Sequence, residues 1–242
     1  MERTNAYSLL DFLDNSPCNF FATATIQRYL DDNGFQELKQ SERWNLEKGG
    51  KYYVKKNDTA IFGFVIGETP LDQSGFNMIS AHSDSPCFRI KPNPEMLADG
   101  VLKLNTEVYG GPILYTWFDR PLSLAGRVIV RNPQNPARPI TKLIDFASPV
   151  LIIPHLAIHF NRNVNAGNPL SKQKDMLPIA AIVSDSMSKN NFLIDQIKER
   201  LEIADSKDIL DFDLMLYNCQ KSQLVGFNKE FICSGRIDAL SM

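Results

Sequence analysis

The chain has 242 residues, 43% of them apolar, and its 26 basic and 28 acidic side chains leave a formal charge of -2 at pH 7. That length suits one large domain or two small ones with a real core, and the near-neutral balance excludes a broad electrostatic drive toward nucleic acid or an anionic membrane. No apolar run is long enough to span a bilayer, and the opening MERTNAYSLLDFLDNSP lacks the basic start and unbroken apolar stretch of a secretory signal.

The four cysteines, Cys18, Cys87, Cys219 and Cys233, are widely spaced and form no CxxC pair. They read as free thiols of a reducing compartment, so the expectation is a cytoplasmic globular protein. Residues 5–14 predict a short helix. A second helix is predicted across SPCNFFATATIQRYLDDNGF, with Ser16 as cap, Pro17 at the first helical position and Gly34 closing it. Its apolar face would carry Ala22, Ile26, Tyr29 and Leu30. Strands are predicted at 51–56, 60–67 and 76–82, the first two joined by an Asn57-Asp58 turn. The near-continuous apolar run at 76–81 suits the buried centre of a sheet covered by helices.

After Pro92 the texture changes. Short β-like stretches (GVLKLNTEVYG, SLAGRVIVR, PVLIIP) alternate with Gly and Pro breakers, which suggests a small all-β unit. Residues 191–204 predict a helix with Leu193, Ile197, Leu201 and Ala204 on one face. Residues 209–218 alternate like a half-exposed strand. The expected organisation is a first domain over 1–92, a β-rich domain over 93–232 and a return to the first domain over 233–242.

The chemistry concentrates in ISAHSDSPCFRIKP, residues 79–92. In an extended segment His82 and Asp84 point to the same side, and both could face a cleft at the carboxyl end of a strand. A neutral imidazole is a good first-row metal ligand, and a carboxylate behind it fixes its tautomer. A structural polar pair is the alternative for the same two residues. A serine nucleophile is a rival, since Ser80, Ser83 and Ser85 flank His82, but no G-x-S-x-G elbow is present. His155 and His159 are four apart, the spacing of two ligands on one helical face, yet Leu156 stands where an HExxH motif needs Glu. By spacing alone they read as packed histidines of a local helix. Asp238, after Gly235-Arg236, reads alone as a turn or cap residue.

Four segments in order, AHSDSPCFRIKP, EVYGGPILYTWFDRPLSLAGRVIV, PVLIIPHLAIHFNRNVN and FICSGRIDALSM, resemble the aspartyl aminopeptidase family of dinuclear zinc exopeptidases. The resemblance covers essentially the whole chain, which corresponds to about the first half of the family's length. It implies an α/β fold: an α/β sandwich catalytic domain, incomplete here, interrupted by a β-rich dimerisation domain. It implies that His82 is a zinc ligand, Asp84 the carboxylate orienting it, Asp238 the carboxylate bridging two Zn2+ ions, and His159 the histidine that reaches a neighbouring subunit's active site. His155 matches a family position without an assigned role. The resemblance further implies peptide substrates with N-terminal Asp or Glu and self-association through the β-rich insert into dimers and dodecameric shells. The family's Glu-Glu pair, which supplies the general base, and its later ligands have no counterpart before Met242. The isolated chain is therefore expected to be inactive. The alternative is a non-catalytic oligomerisation module or a split-gene subunit.

Overall fold

The computed structural model describes residues 4–183 and 190–237. They fall into two compact units, one formed by residues up to 85 together with those from 222, the other by residues 86–221.

In the first unit, helices α1 (Thr4–Asp14) and α2 (Asn19–Asp32) precede a three-stranded sheet of β1 (Gln36–Glu37), β2 (Lys51–Lys56) and β3 (Ala60–Val65). β1 runs parallel to β2, and β2 pairs antiparallel with β3 from Lys51↔Val65 to Lys56↔Ala60. The hairpin turn is Asn57-Asp58, as expected, with φ of 53° and 56°. Two left-handed residues in succession match the right-handed twist of the flanking strands. α2 begins two residues later than the Ser16-Pro17 signal predicts. Cys18 occupies the N-cap without a side-chain cap bond, and the Ser16 hydroxyl is buried. Gly34 does close the helix, at φ 79°. The inward face is Phe20, Ala22, Thr23 and Thr25, while Tyr29 is exposed. Helix and sheet approach closely at Gly63, where a Cβ would lie 3.3 Å from both Leu30 methyls. Polar bonds lock the same pair of elements. The Tyr53 hydroxyl donates to Asp31 Oδ1 at 2.9 Å and accepts from Gln27 Nε2 at 3.1 Å. Burial, and then the bond to Asp31, push the Tyr53 phenol up to about 12.

A single turn, α3 (Leu71–Ser74), follows β3. The predicted strand at 76–82 pairs with no sheet among the described residues, and Phe76, Met78 and Ile79 face solvent. An apolar run becomes a strand only where a neighbouring strand takes up its backbone groups, and no described strand of this unit pairs with it.

The second unit is a six-stranded antiparallel sheet. Its strands are β4 (Cys87–Ala98), β5 (Val101–Tyr109), β6 (Leu122–Val130), β7 (Ile140–Asp145), β8 (Ile179–Ile182) and β9 (Ile209–Asn218), in the order β7-β6-β9-β4-β5-β8. β4 runs on through Pro92 and Pro94 by means of an irregularity between Ile90 and Glu95, where the ladder needs no donor from either proline. β6 and β9 pair along their whole length, and a Cβ at Gly126 would overlap the Asp213 carbonyl oxygen, so this crossing needs glycine. Helix α4 (Phe192–Arg200) lays Leu193 and Ile197 on a core that includes Phe88, Leu104, Leu124 and Leu214. Glu95 accepts from the Leu193 amide at 3.0 Å and so meets one of the unpaired donors at the helix start. The helix is shorter than 191–204: Glu202 is left-handed at φ 52°, and Ile203, not Ala204, is buried. Burial and its 2.7 Å bond to Asp145 raise the Tyr217 phenol well above its ordinary range. The hairpin β10 (Gln223–Val225) and β11 (Phe231–Cys233) belongs to the first unit.

Candidate metal centre

His82 and Asp84 are brought together. The imidazole Nδ1 lies 2.8 Å from the Asp84 carbonyl oxygen and 3.1 Å from Asp84 Oδ1. Both partners only accept, so Nδ1 carries the proton, which in the neutral ring leaves the lone pair on Nε2. That is the tautomer a ligand to a metal through Nε2 requires. Between them Ser83 points elsewhere, its hydroxyl donating to the Thr59 carbonyl at 2.8 Å. The hydroxyl is thus spent on tying the segment to the turn that enters β3, which removes Ser83 from the role of nucleophile.

Asp238 lies outside the described residues. The chain leading to it is anchored by a residue that spacing arguments passed over. The Arg236 guanidinium donates to the Leu13 carbonyl at 3.1 Å and pairs with Asp14 Oδ1 at 3.4 Å, at the end of α1. Asp14 also accepts from the Ser222 amide at 2.9 Å. An arginine is planar and multidentate, so it can hold a backbone carbonyl and a carboxylate together. No local sequence signal marks it, because its partners Leu13 and Asp14 lie 223 and 222 residues away along the chain.

The two remaining histidines sit in the second unit, in an irregular segment rather than the predicted helix. The His155 ring meets Phe118 edge-on at 4.5 Å between centroids, its Nδ1 lies 2.9 Å from the Leu156 carbonyl, and its amide donates to Asp119 Oδ1. It lines an open cleft of about 340 Å³ with Lys103, Asn168, Lys174 and Asp175. His159 is exposed on the following turn. Pro154, directly after the bridged residues Leu151, Ile152 and Ile153, interrupts any helical run that could give the two histidines a shared face.

Among the described residues, no three His, Cys, Asp or Glu side chains converge as a ligand set. The donor set fits zinc in part: one imidazole of the correct tautomer, where a catalytic zinc takes three protein ligands. No described helix is long and apolar enough to cross a membrane.

A fold with a helix-backed sheet, an inserted β unit and a carboxylate-backed histidine at their junction in sequence defines a class, and comparison with known proteins identifies it. The chain belongs to the aminopeptidase I zinc metalloprotease (M18) family, whose model matches residues 12–242. It is 51% identical over 236 residues to the probable M18 family aminopeptidase 2 of Clostridium novyi (strain NT), a match covering 97% of this chain and 54% of that protein. Among solved structures, a chain of the Ape4 and Nbr1 complex aligns with TM-score 0.89 and 33% identity, over 97% of this chain and 48% of the other. The mApe1 structure of Chaetomium thermophilum aligns with TM-score 0.85 and 31% identity, over 98% and 55%. The chain spans about half the length of the relatives it matches.

Proposed function

We propose that this chain is the amino-terminal portion of a zinc metalloaminopeptidase that removes N-terminal Asp or Glu from peptides. The observation that carries the proposal is the His82 imidazole held by Asp84 with Nε2 as its lone-pair nitrogen. His82 would hold one zinc ion and Asp238 would bridge the pair, while Asp84 keeps the ring in its ligating orientation. Two zinc ions, when bound, supply polarisation of the scissile carbonyl and activation of the attacking water. Arg236 fixes the approach to Asp238 through α1. His159, on an exposed turn of the second unit, would reach a neighbouring subunit's substrate. The second unit would be the surface of self-association, a reading supported by the exposed Leu156, Ile158 and Phe160 around that histidine.

The isolated chain carries too few ligands and no Glu-Glu pair, so it should not turn over. The test is hydrolysis of Asp- and Glu-aminoacyl substrates by the purified chain with zinc or manganese added. Clear hydrolysis would overturn the assignment of the general base to the relatives' remaining half. The same exposed apolar turn also favours a second reading, a non-catalytic association module. A zinc-free homodimer in a combined metal titration and mass measurement would support that module, and stoichiometric zinc would support the peptidase.

A further inference from the structure

We propose that the cleft beside His155 in the second unit is a binding site for a free acidic α-amino acid, a ligand with two carboxylates and one ammonium. The inference goes beyond the peptidase reading and does not rest on it, because every residue that lines the cleft belongs to the second unit.

The cleft has a volume of about 340 Å³. That is the small end of the ~300–1,000 Å³ found for small-molecule sites, which suits an amino acid better than a nucleotide or a peptide. Its charged lining is Lys103, Lys174 and Asp175, two positive groups and one negative. Among the described residues neither lysine is held in an ion pair, so both ammonium groups keep their donors for a ligand.

The charges stand on fixed backbone. Lys103 lies on β5 opposite Ile179 of β8, so a strand pair sets the start of its stem. Lys174 and Asp175 lie on a closed turn. Their amides donate to the Ser171 carbonyl at 3.2 and 2.9 Å, and Asp175 Oδ2 accepts from the Ser171 amide at 2.7 Å. A carboxylate accepts several bonds, which keeps Oδ1 available to a ligand ammonium. His155 adds a second acceptor: its Nδ1 lies 2.9 Å from the Leu156 carbonyl, which in the neutral ring leaves the lone pair on Nε2. Phe118, edge-on to that ring, and Leu177 supply an apolar wall for the ligand's methylene groups.

The lining therefore carries the inverse of the ligand's charges. A simple anion would meet the lysines and be repelled by Asp175, and a simple amine would suffer the reverse. A zwitterion with a second carboxylate meets all three.

The experiment titrates the purified chain with L-glutamate and L-aspartate, reading heat and the amide nitrogen-15 shifts of residues 171–175. The expected result is one-to-one binding that saturates by about 10 mM and moves those shifts. Glutarate, which lacks the ammonium, and L-glutamine, which lacks one carboxylate, should each bind at least tenfold more weakly, the loss of one charge-assisted bond. Lys103→Gln and Lys174→Gln should each weaken L-glutamate at least tenfold. Asp175→Asn should weaken L-glutamate and leave glutarate no weaker than before. Lys174 is exposed, so its variant should keep the melting curve of the native chain and tests the site without disturbing the fold. Glutarate or inorganic phosphate binding as tightly as L-glutamate would overturn the proposal by showing a plain anion patch. Absence of binding at about 10 mM, or binding indifferent to both lysine substitutions, also overturns it. The titration reads binding without turnover, so failure of the peptidase reading would leave its result unchanged.

Discussion

Replacing Asp84 by Asn removes a charge from behind His82 and keeps the side-chain shape. The size of the effect depends on which of two acceptors governs the ring. The backbone carbonyl of residue 84, at 2.8 Å from Nδ1, is the shorter contact and survives the substitution, and the amide oxygen of Asn can replace Oδ1 at 3.1 Å. One hydrogen bond contributes about 1 kcal/mol net, enough to keep Nδ1 protonated by roughly fivefold. What is lost is the charge assistance, and it is screened, because the two side chains are 42% and 34% exposed. Exposed pairs contribute about 0.2–1 kcal/mol. The zinc affinity of a completed protein should therefore fall about tenfold, the lower end of the ~10–100-fold range for carboxylates behind a ligating imidazole. Nitrogen-15 shifts of the His82 ring, read on the chain alone, should keep the Nδ1–H tautomer in both proteins. Competition with a chelator gives the affinity. A switch to the Nε2–H tautomer, a loss well beyond a hundredfold, or no change in affinity would refute the reasoning.

Arg236→Ala should destabilise the first unit by about 2–3 kcal/mol, since the side chain is only 8% exposed and its loss leaves the Leu13 carbonyl without that donor, while Asp14 keeps the Ser222 amide. Faster proteolysis within 222–237 checks it, and Arg236→Lys should recover less than half because one ammonium cannot span both acceptors. Alkaline pH should weaken the same unit through Tyr53. Below pH 10, the ordinary value, the phenol is protonated in the folded and unfolded chain alike, and the full contribution is present. As pH rises toward about 12 the unfolded phenol ionises first, so stability falls by up to about 3 kcal/mol. In urea titrations the stability difference between the native protein and Tyr53→Phe should shrink over that interval, and a constant difference would contradict it.

What was legible in the sequence follows from how local each signal is. The Asn57-Asp58 turn needs only two residues that tolerate positive φ, and β9 (Ile209–Asn218) carries its own alternation, so both could be read directly. β4 could not, because its two prolines argue against a strand until the Ile90–Glu95 irregularity is known, and that depends on β5 opposite. The run at 76–82 was read as a buried strand, but among the described residues it pairs with nothing and Phe76, Met78 and Ile79 are exposed, because apolar content is local whereas pairing belongs to two segments. His82 and Asp84 were legible because the ring needs only a neighbour two residues away. Arg236 was not, because its partners at Leu13 and Asp14 lie at the other end of the chain.

The two candidate ligand segments of the first unit are separated in sequence by the whole second unit, and the sheet of that unit resolves the cost. β4 enters it and β9 leaves it as antiparallel neighbours, with Arg89 opposite Met215. The entry at Pro86 and the exit at Lys221 therefore lie near one another once the sheet is formed. Closing the first unit around residues 86–221 as free chain, instead of around a connection of a few residues, would cost about 3 kcal/mol more in loop entropy. The second unit holds its own buried core, so it can form this short connection without help from the first. Folding of the β unit thus delivers the segment bearing Arg236 back to the end of α1. The bonds from Arg236 and Ser222 to the end of α1 are then made between segments already close, and their modest individual strength suffices.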